Sequence, residues 1–201
     1  MTEGSVDAIA KFVFYGVMVC WCLFAVTFVL RIRPGKSRET RRDWNAMVGM
    51  LIQGIGYAIV WFYPLRRMPL GPLVPMPRGL EVALAALTLA IAVASVWMVN
   101  AAVRVLGKQW AVAARLVEGH KLITEGPYRL VRNPIYTGMF GMMVATGLAV
   151  TQWWALLVAI VVFLAGTYIR VRIEERLLRG QFGSAFDDYT KQVPAVIPGI
   201  W

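Results

Sequence analysis

Five apolar stretches constrain this chain more than any other feature. They cover residues 8–30, 44–63, 80–99, 135–150 and 153–168. A helix needs about 20 predominantly apolar residues to cross the hydrocarbon core of a bilayer, and these stretches are of that order. Charged residues make up only 16% of the 201, and 59% are hydrophobic, so the chain has too little polar surface to cover a soluble core of this size. The expected architecture is all-α: an integral membrane helical bundle of about five transmembrane helices plus a cytoplasmic amphipathic C-terminal helix. It forms one domain over residues 1–201. Three spans occupy 1–99, and a loop, a helical hairpin and a tail occupy 100–201. The first ten residues carry Glu3 and Asp7 without the basic cluster of a cleavable leader, so the first stretch is expected to be retained.

The net charge of +10 would suit a nucleic-acid ligand, but its distribution points elsewhere. Residues 31–43 hold Arg31, Arg33, Lys36, Arg38, Arg41 and Arg42. Six more basic residues lie in 100–134, and Arg170, Arg172, Arg176, Arg179 and Lys191 follow the last stretch. The proline-rich segment 64–79 has only Arg66, Arg67 and Arg78. Placing the three basic segments on one side puts seventeen of the 21 basic residues there, which predicts an outside N-terminus and a cytoplasmic C-terminus in an inner (plasma) membrane. Cys20 and Cys22 are two positions apart on one helix and face different ways, so they neither pair nor share a metal.

Polar chemistry is concentrated in two blocks. The first runs from His120 to Gly138, with a turn at Gly126-Pro127 and Pro134 where a helix would start. The second runs from Arg170 to Leu178 and contains Glu174-Glu175. Only Thr151 and Gln152 separate the last two stretches, so these form a tight hairpin that brings both blocks to one mouth. The carboxylates can accept from hydroxyls or an amino group. Arg132, Arg170 or Arg172 can fork onto a carboxylate, and Tyr128, Tyr136 and His120 offer ring faces to a ring or a cation. A zwitterion carrying a sulfonium, an adenosine and a carboxylate would suit this mixture, as would other polar ligands. After residue 170, Leu177, Leu178, Phe182, Phe186 and Tyr189 recur at helical spacing, which predicts an amphipathic helix on the membrane surface or over the bundle mouth.

Gly126-Pro127-Tyr128, then Arg132-Asn133-Pro134-Ile135-Tyr136-Thr137-Gly138, then Glu174-Glu175, resembles the signature of the isoprenylcysteine carboxyl methyltransferase and phospholipid methyltransferase superfamily. Leu106-Gly107, Trp110, His120, Leu122, Phe182-Gly183 and Ile197-Pro198 extend the likeness over residues 106–198. The resemblance implies S-adenosyl-L-methionine as methyl donor and a lipid-like or prenylated acceptor, most readily a carboxylate, entering from the bilayer. It implies a cofactor pocket shaped by His120, Leu122, Gly126, Tyr128, Arg132, Asn133, Pro134, Tyr136, Arg170 and Glu174, with Glu175, Tyr136 and Arg132 nearest the chemistry. Arg132 and Arg170 would hold the methionine carboxylate, Glu174 the ribose or amino group, and the 100–134 loop would close over them. The usual form of the motif has His before the proline, where this chain has Asn133, which cannot titrate near neutrality. The alternatives are a nicotinamide-dependent lipid or sterol-type reductase and a non-catalytic protein of this fold.

Overall fold

The computed structural model describes residues 3–30, 39–42, 46–62, 77–109, 115–117 and 121–199. It is a helical bundle: α1 (Glu3–Val29), α2 (Ala46–Trp61), α3 (Arg78–Leu106), α4 (Pro134–Val150), α5 (Trp153–Phe182) and α6 (Ser184–Gln192). Three of these helices, α1, α3 and α5, are long and apolar enough to cross a membrane. The apolar helices α2 and α4 have 16 and 17 residues. At about 1.5 Å per residue they run roughly 25 Å, short of a full hydrocarbon core of about 30 Å unless flanking residues contribute. Large apolar side chains such as Phe12, Leu51, Val93 and Val161 point outward from the bundle, as they would toward lipid acyl chains. These helices make the chain a multi-pass membrane protein.

Several helix boundaries differ from the sequence expectation, two of the C-terminal ones by more than a turn. Helix α3 runs seven residues past the predicted end at 99, because Ala101, Ala102 and Val103 continue its apolar face; Ala102 and Val103 are buried. Helix α5 does not stop at Tyr168: the fifth stretch and the first half of the amphipathic tail are one 30-residue helix. It ends only at Gly183, whose φ of 53° favours a residue without Cβ, and α6 starts from there. The bundle is also not wholly helical. Strand β1 (Glu39–Arg42) pairs antiparallel with β2 (Arg115–Val117), joining the α1–α2 and α3–α4 connections. That pairing places these two basic segments at the same end of the bundle.

Glycines set two of the helix contacts. A Cβ on Gly138 would lie 2.4 Å from a Val99 methyl and 2.9 Å from the Ser95 carbonyl, so α3 and α4 touch almost backbone to backbone. Helices α2 and α5 do the same through Gly49 and Gly166. The α4–α5 hairpin turns at Thr151 and Gln152 as expected, and the Thr151 hydroxyl donates to the Val60 carbonyl of α2 (2.7 Å). Along the interior, Trp21 of α1 donates to Thr146 of α4 (2.9 Å), and Tyr57 of α2 donates to the Met139 carbonyl (2.7 Å). Buried polar groups in a bundle surrounded by lipid need such partners.

Candidate functional site

Helix α4 begins at Pro134, where a missing N–H costs nothing. Its entry is stitched to the end of the chain. The Arg132 and Asn133 amides donate to the Pro194 (2.8 Å) and Ala195 (2.9 Å) carbonyls, the Asn133 side-chain amide donates again to Ala195 (3.0 Å), and Thr137 donates to Val196 (2.6 Å). Ala195 and Val196 are buried beside Tyr136 and Val171. The amphipathic tail therefore folds over the mouth of the hairpin. Its apolar residues divide between that floor and a second cluster in which Ile173 and Leu177 pack on Ala46 of α2.

Glu174 and Glu175 are neighbours in sequence but not in task, because successive residues on a helix point about 100° apart. Glu175 takes Arg132: its Oε1 accepts from Nε (3.0 Å) and Nη2 (2.7 Å), with the two side chains only 13% and 11% exposed. The Arg132 Nη1 donates to the Thr190 carbonyl (3.2 Å) and to that of Val193. Most of the Arg132 donor capacity is thus spent on Glu175 and on the chain terminus. Glu174 instead accepts from the Tyr136 hydroxyl and faces Arg170 at 3.7 Å. Both contacts fall on Oε1; among the described residues Oε2 accepts none, and the side chain is 25% exposed.

Arg170, which the sequence pattern places just beyond the fifth span, is a bundle residue with 6% exposure. Its guanidinium lies over the Tyr136 ring, 4.9 Å from the centroid, and donates to Gln53 of α2 (3.3 Å). Gln53 is the site residue that sequence reasoning missed. The signal was available: it is an amide in the middle of an apolar stretch whose other amide, Asn45, lies at the edge, and polar residues at such positions mark sites or partners. Arg172 turns outward to Tyr168, donating to its hydroxyl (3.1 Å), and is not part of this group.

The other predicted residues divide as follows. Tyr128 is buried in a short 3-10 turn (Gly126–Arg129) whose opening Gly126 has φ 58°. Burial first, then the negative charge of Glu174, pushes the Tyr128 phenol well above its ordinary value, so it stays neutral beside that carboxylate. Its carbonyl accepts from the Tyr189 hydroxyl (2.6 Å). Leu122 is half-buried at the loop's exit, where the Gln109 side-chain amide pairs with both backbone groups of Lys121 and brackets residues 110–120. His120 lies outside the described residues. Among the described residues no three His, Cys, Asp or Glu side chains could hold a metal ion.

Fold and site together define a multi-pass helical membrane protein with a polar centre (Tyr128, Tyr136, Arg170, Glu174) where α4 begins and α5 leaves the bundle. The phospholipid methyltransferase family matches residues 82–185, just over half of the chain and including this centre, and the chain belongs to that family. Among curated relatives, it is 33% identical over 89 residues to the protein-S-isoprenylcysteine O-methyltransferase of Schizosaccharomyces pombe, covering 44% of this chain and 38% of that one. It is 31% identical over 89 residues to protein-S-isoprenylcysteine O-methyltransferase B of Arabidopsis thaliana, covering 44% and 45%. It is 33% identical over 113 residues to the nickel-cobalt-cadmium resistance protein NccN of Alcaligenes xylosoxydans xylosoxydans, covering 54% and 51%. The chain thus spans about half or less of the length of these relatives.

Proposed function

We propose that this protein transfers a methyl group from S-adenosyl-L-methionine to a lipid-like or prenylated acceptor, a carboxylate by preference, at the cytoplasmic interface of its membrane. The observation that carries this reading is the Tyr136–Glu174–Arg170 group at the head of the hairpin, inside the segment matched by the family. Its donor set fits the donor molecule. Glu174 offers an open carboxylate oxygen for ribose hydroxyls or an ammonium, Arg170 a guanidinium for a carboxylate, and Tyr128 and Tyr136 aromatic faces beside them. By the resemblance, Leu122, Gly126 and His120 would complete the enclosure. When bound, the cofactor supplies a methyl group on a cationic sulfur that leaves as a neutral thioether.

The state of the side chains favours a carboxylate acceptor over an amine. An amine must lose a proton, and the Tyr136 hydroxyl, already donating to Glu174, is not placed to take it; Glu175, paired with Arg132 through Oε1, is the one remaining candidate of the two. A carboxylate is already anionic near neutral pH and needs no base. The chain's own work is then to orient two polar partners and keep water out. Arg132 and Glu175 serve this at one remove, by clamping the C-terminal segment under the site.

Calorimetric titration of the detergent-purified protein with S-adenosylhomocysteine, beside NADPH, tests the proposal. Saturable binding of the adenosyl ligand alone, abolished in a folded Glu174→Ala variant, is the expected result. Binding of NADPH alone would transfer the protein to lipid reduction, and binding of neither by folded protein would leave a non-catalytic member of the fold.

A further inference from the structure

We infer that Gln53 of α2 is a positioning residue of the methyl-donor site, holding the Arg170 guanidinium back so that Glu174 keeps an oxygen open for the ligand. The inference rests on the methyltransferase reading above. It extends the site to a helix that lies outside the family match at residues 82–185.

Gln53 is 1% exposed, and an amide buried in an apolar helix is costly unless both its ends are bonded. Arginine can only donate, so the Gln53 Oε1 must face Arg170 (3.3 Å) and the Nε2 must point away. That amide donates to the Thr167 hydroxyl (2.8 Å), which donates in turn to the Phe163 carbonyl (2.9 Å). The direction of every bond is therefore determined by the cation at one end. The reach of Gln53 depends on Gly49 and Gly166, since a Cβ on either would collide with the backbone of the facing helix.

The bond to Thr167 satisfies one end of the Gln53 amide and joins α2 to α5. The amide's second bond goes to the guanidinium that also faces Glu174 at 3.7 Å and covers the Tyr136 ring. Arginine and carboxylate left to themselves close to about 2.7–2.9 Å, often through both oxygens. The longer separation here is what a guanidinium tethered to Gln53 and Tyr136 would show. Loss of the Gln53 bond removes one of the restraints on Arg170 and shifts it toward Glu174, in competition with the Tyr136 hydroxyl and for Oε2.

The test is the affinity of the full-length protein for S-adenosylhomocysteine, measured well below its thermal midpoint in wild type, Gln53→Leu, Thr167→Val and Thr167→Ser. Gln53→Leu is expected to weaken binding by about tenfold or more, the scale of a hydrogen bond to a charged group. Thr167→Val should weaken it less, and Thr167→Ser, which keeps the hydroxyl, should restore it. A folded Gln53→Leu protein with wild-type affinity would overturn the inference, however much its thermal midpoint fell. Should Gln53→Leu not fold, unchanged affinity in Thr167→Val overturns it instead. If folded wild-type protein fails to bind the ligand at all, the methyltransferase reading falls and takes this inference with it.

Discussion

Substituting Gly166 by alanine probes packing and site at once. A Cβ at this position would stand 2.6 Å from the Gly49 carbonyl oxygen and 2.7 Å from the Gln53 backbone nitrogen. Ordinary contact begins at 3.4 Å, so α2 and α5 must part by about 0.8 Å. Both obstacles are backbone atoms of a helix and cannot yield as a flexible side chain would. A separation of that size stretches the Gln53–Thr167 bond from 2.8 to about 3.6 Å and the Arg170–Gln53 bond from 3.3 to about 4 Å, past useful hydrogen bonding. Overpacking of this kind costs about 1–3 kcal/mol, against which the better helix propensity of alanine returns somewhat under 1 kcal/mol. The net cost of up to about 2 kcal/mol should lower the thermal midpoint in detergent by up to about 8 °C, and affinity for S-adenosylhomocysteine should fall with it. Gly54→Ala is the internal control: a Cβ there meets nothing within 4 Å, so its midpoint should hold or rise. A Gly166→Ala protein with the midpoint and affinity of wild type would refute the reasoning, as would equal damage from Gly54→Ala.

Three further outcomes follow from the site. Glu175→Ala leaves the Arg132 cation in a largely buried setting and should destabilise the protein by about 2–4 kcal/mol; the paired change Arg132→Met with Glu175→Leu should recover part of that, as thermal unfolding would report. Asn133→Ala should cost about 1 kcal/mol but leave ligand affinity intact, because the amide anchors Ala195 rather than facing the polar centre; a tenfold loss of affinity would place Asn133 in the pocket after all. The Tyr189 phenol is pushed up to about 12 from its ordinary value of 10, burial outweighing the opposing charge of Arg132, so the fold favours the protonated form. Its contribution is complete below pH 10 and is lost as pH rises through about 12. Tyr189→Phe should remove that part of the alkaline loss of stability in pH-dependent melting, and an unchanged alkaline profile would show that Tyr189 does not set it.

The sequence alone determined that helices in lipid are the answer here, because apolar runs of spanning length leave a chain no other way to satisfy its backbone. It determined the hairpin as well: two residues between α4 and α5 admit only an antiparallel return, and this brings Tyr136 and Glu174 to one end. Helix ends were less readable. The amphipathic tail begins inside α5 because nothing before Gly183 breaks a helix, and a change of solvent from lipid to water does not itself end one. Only the tertiary structure separated the tasks of Glu174 and Glu175, since their partners, Tyr136 and Arg132, come from the other arm of the hairpin. Only it brought in Gln53, whose distance from Arg170 along the chain is 117 residues and whose reach depends on two glycines meeting across helices. Periodicity records which face a helix buries; which polar groups then meet is set by how closely two backbones approach, and that is a property of the packed bundle.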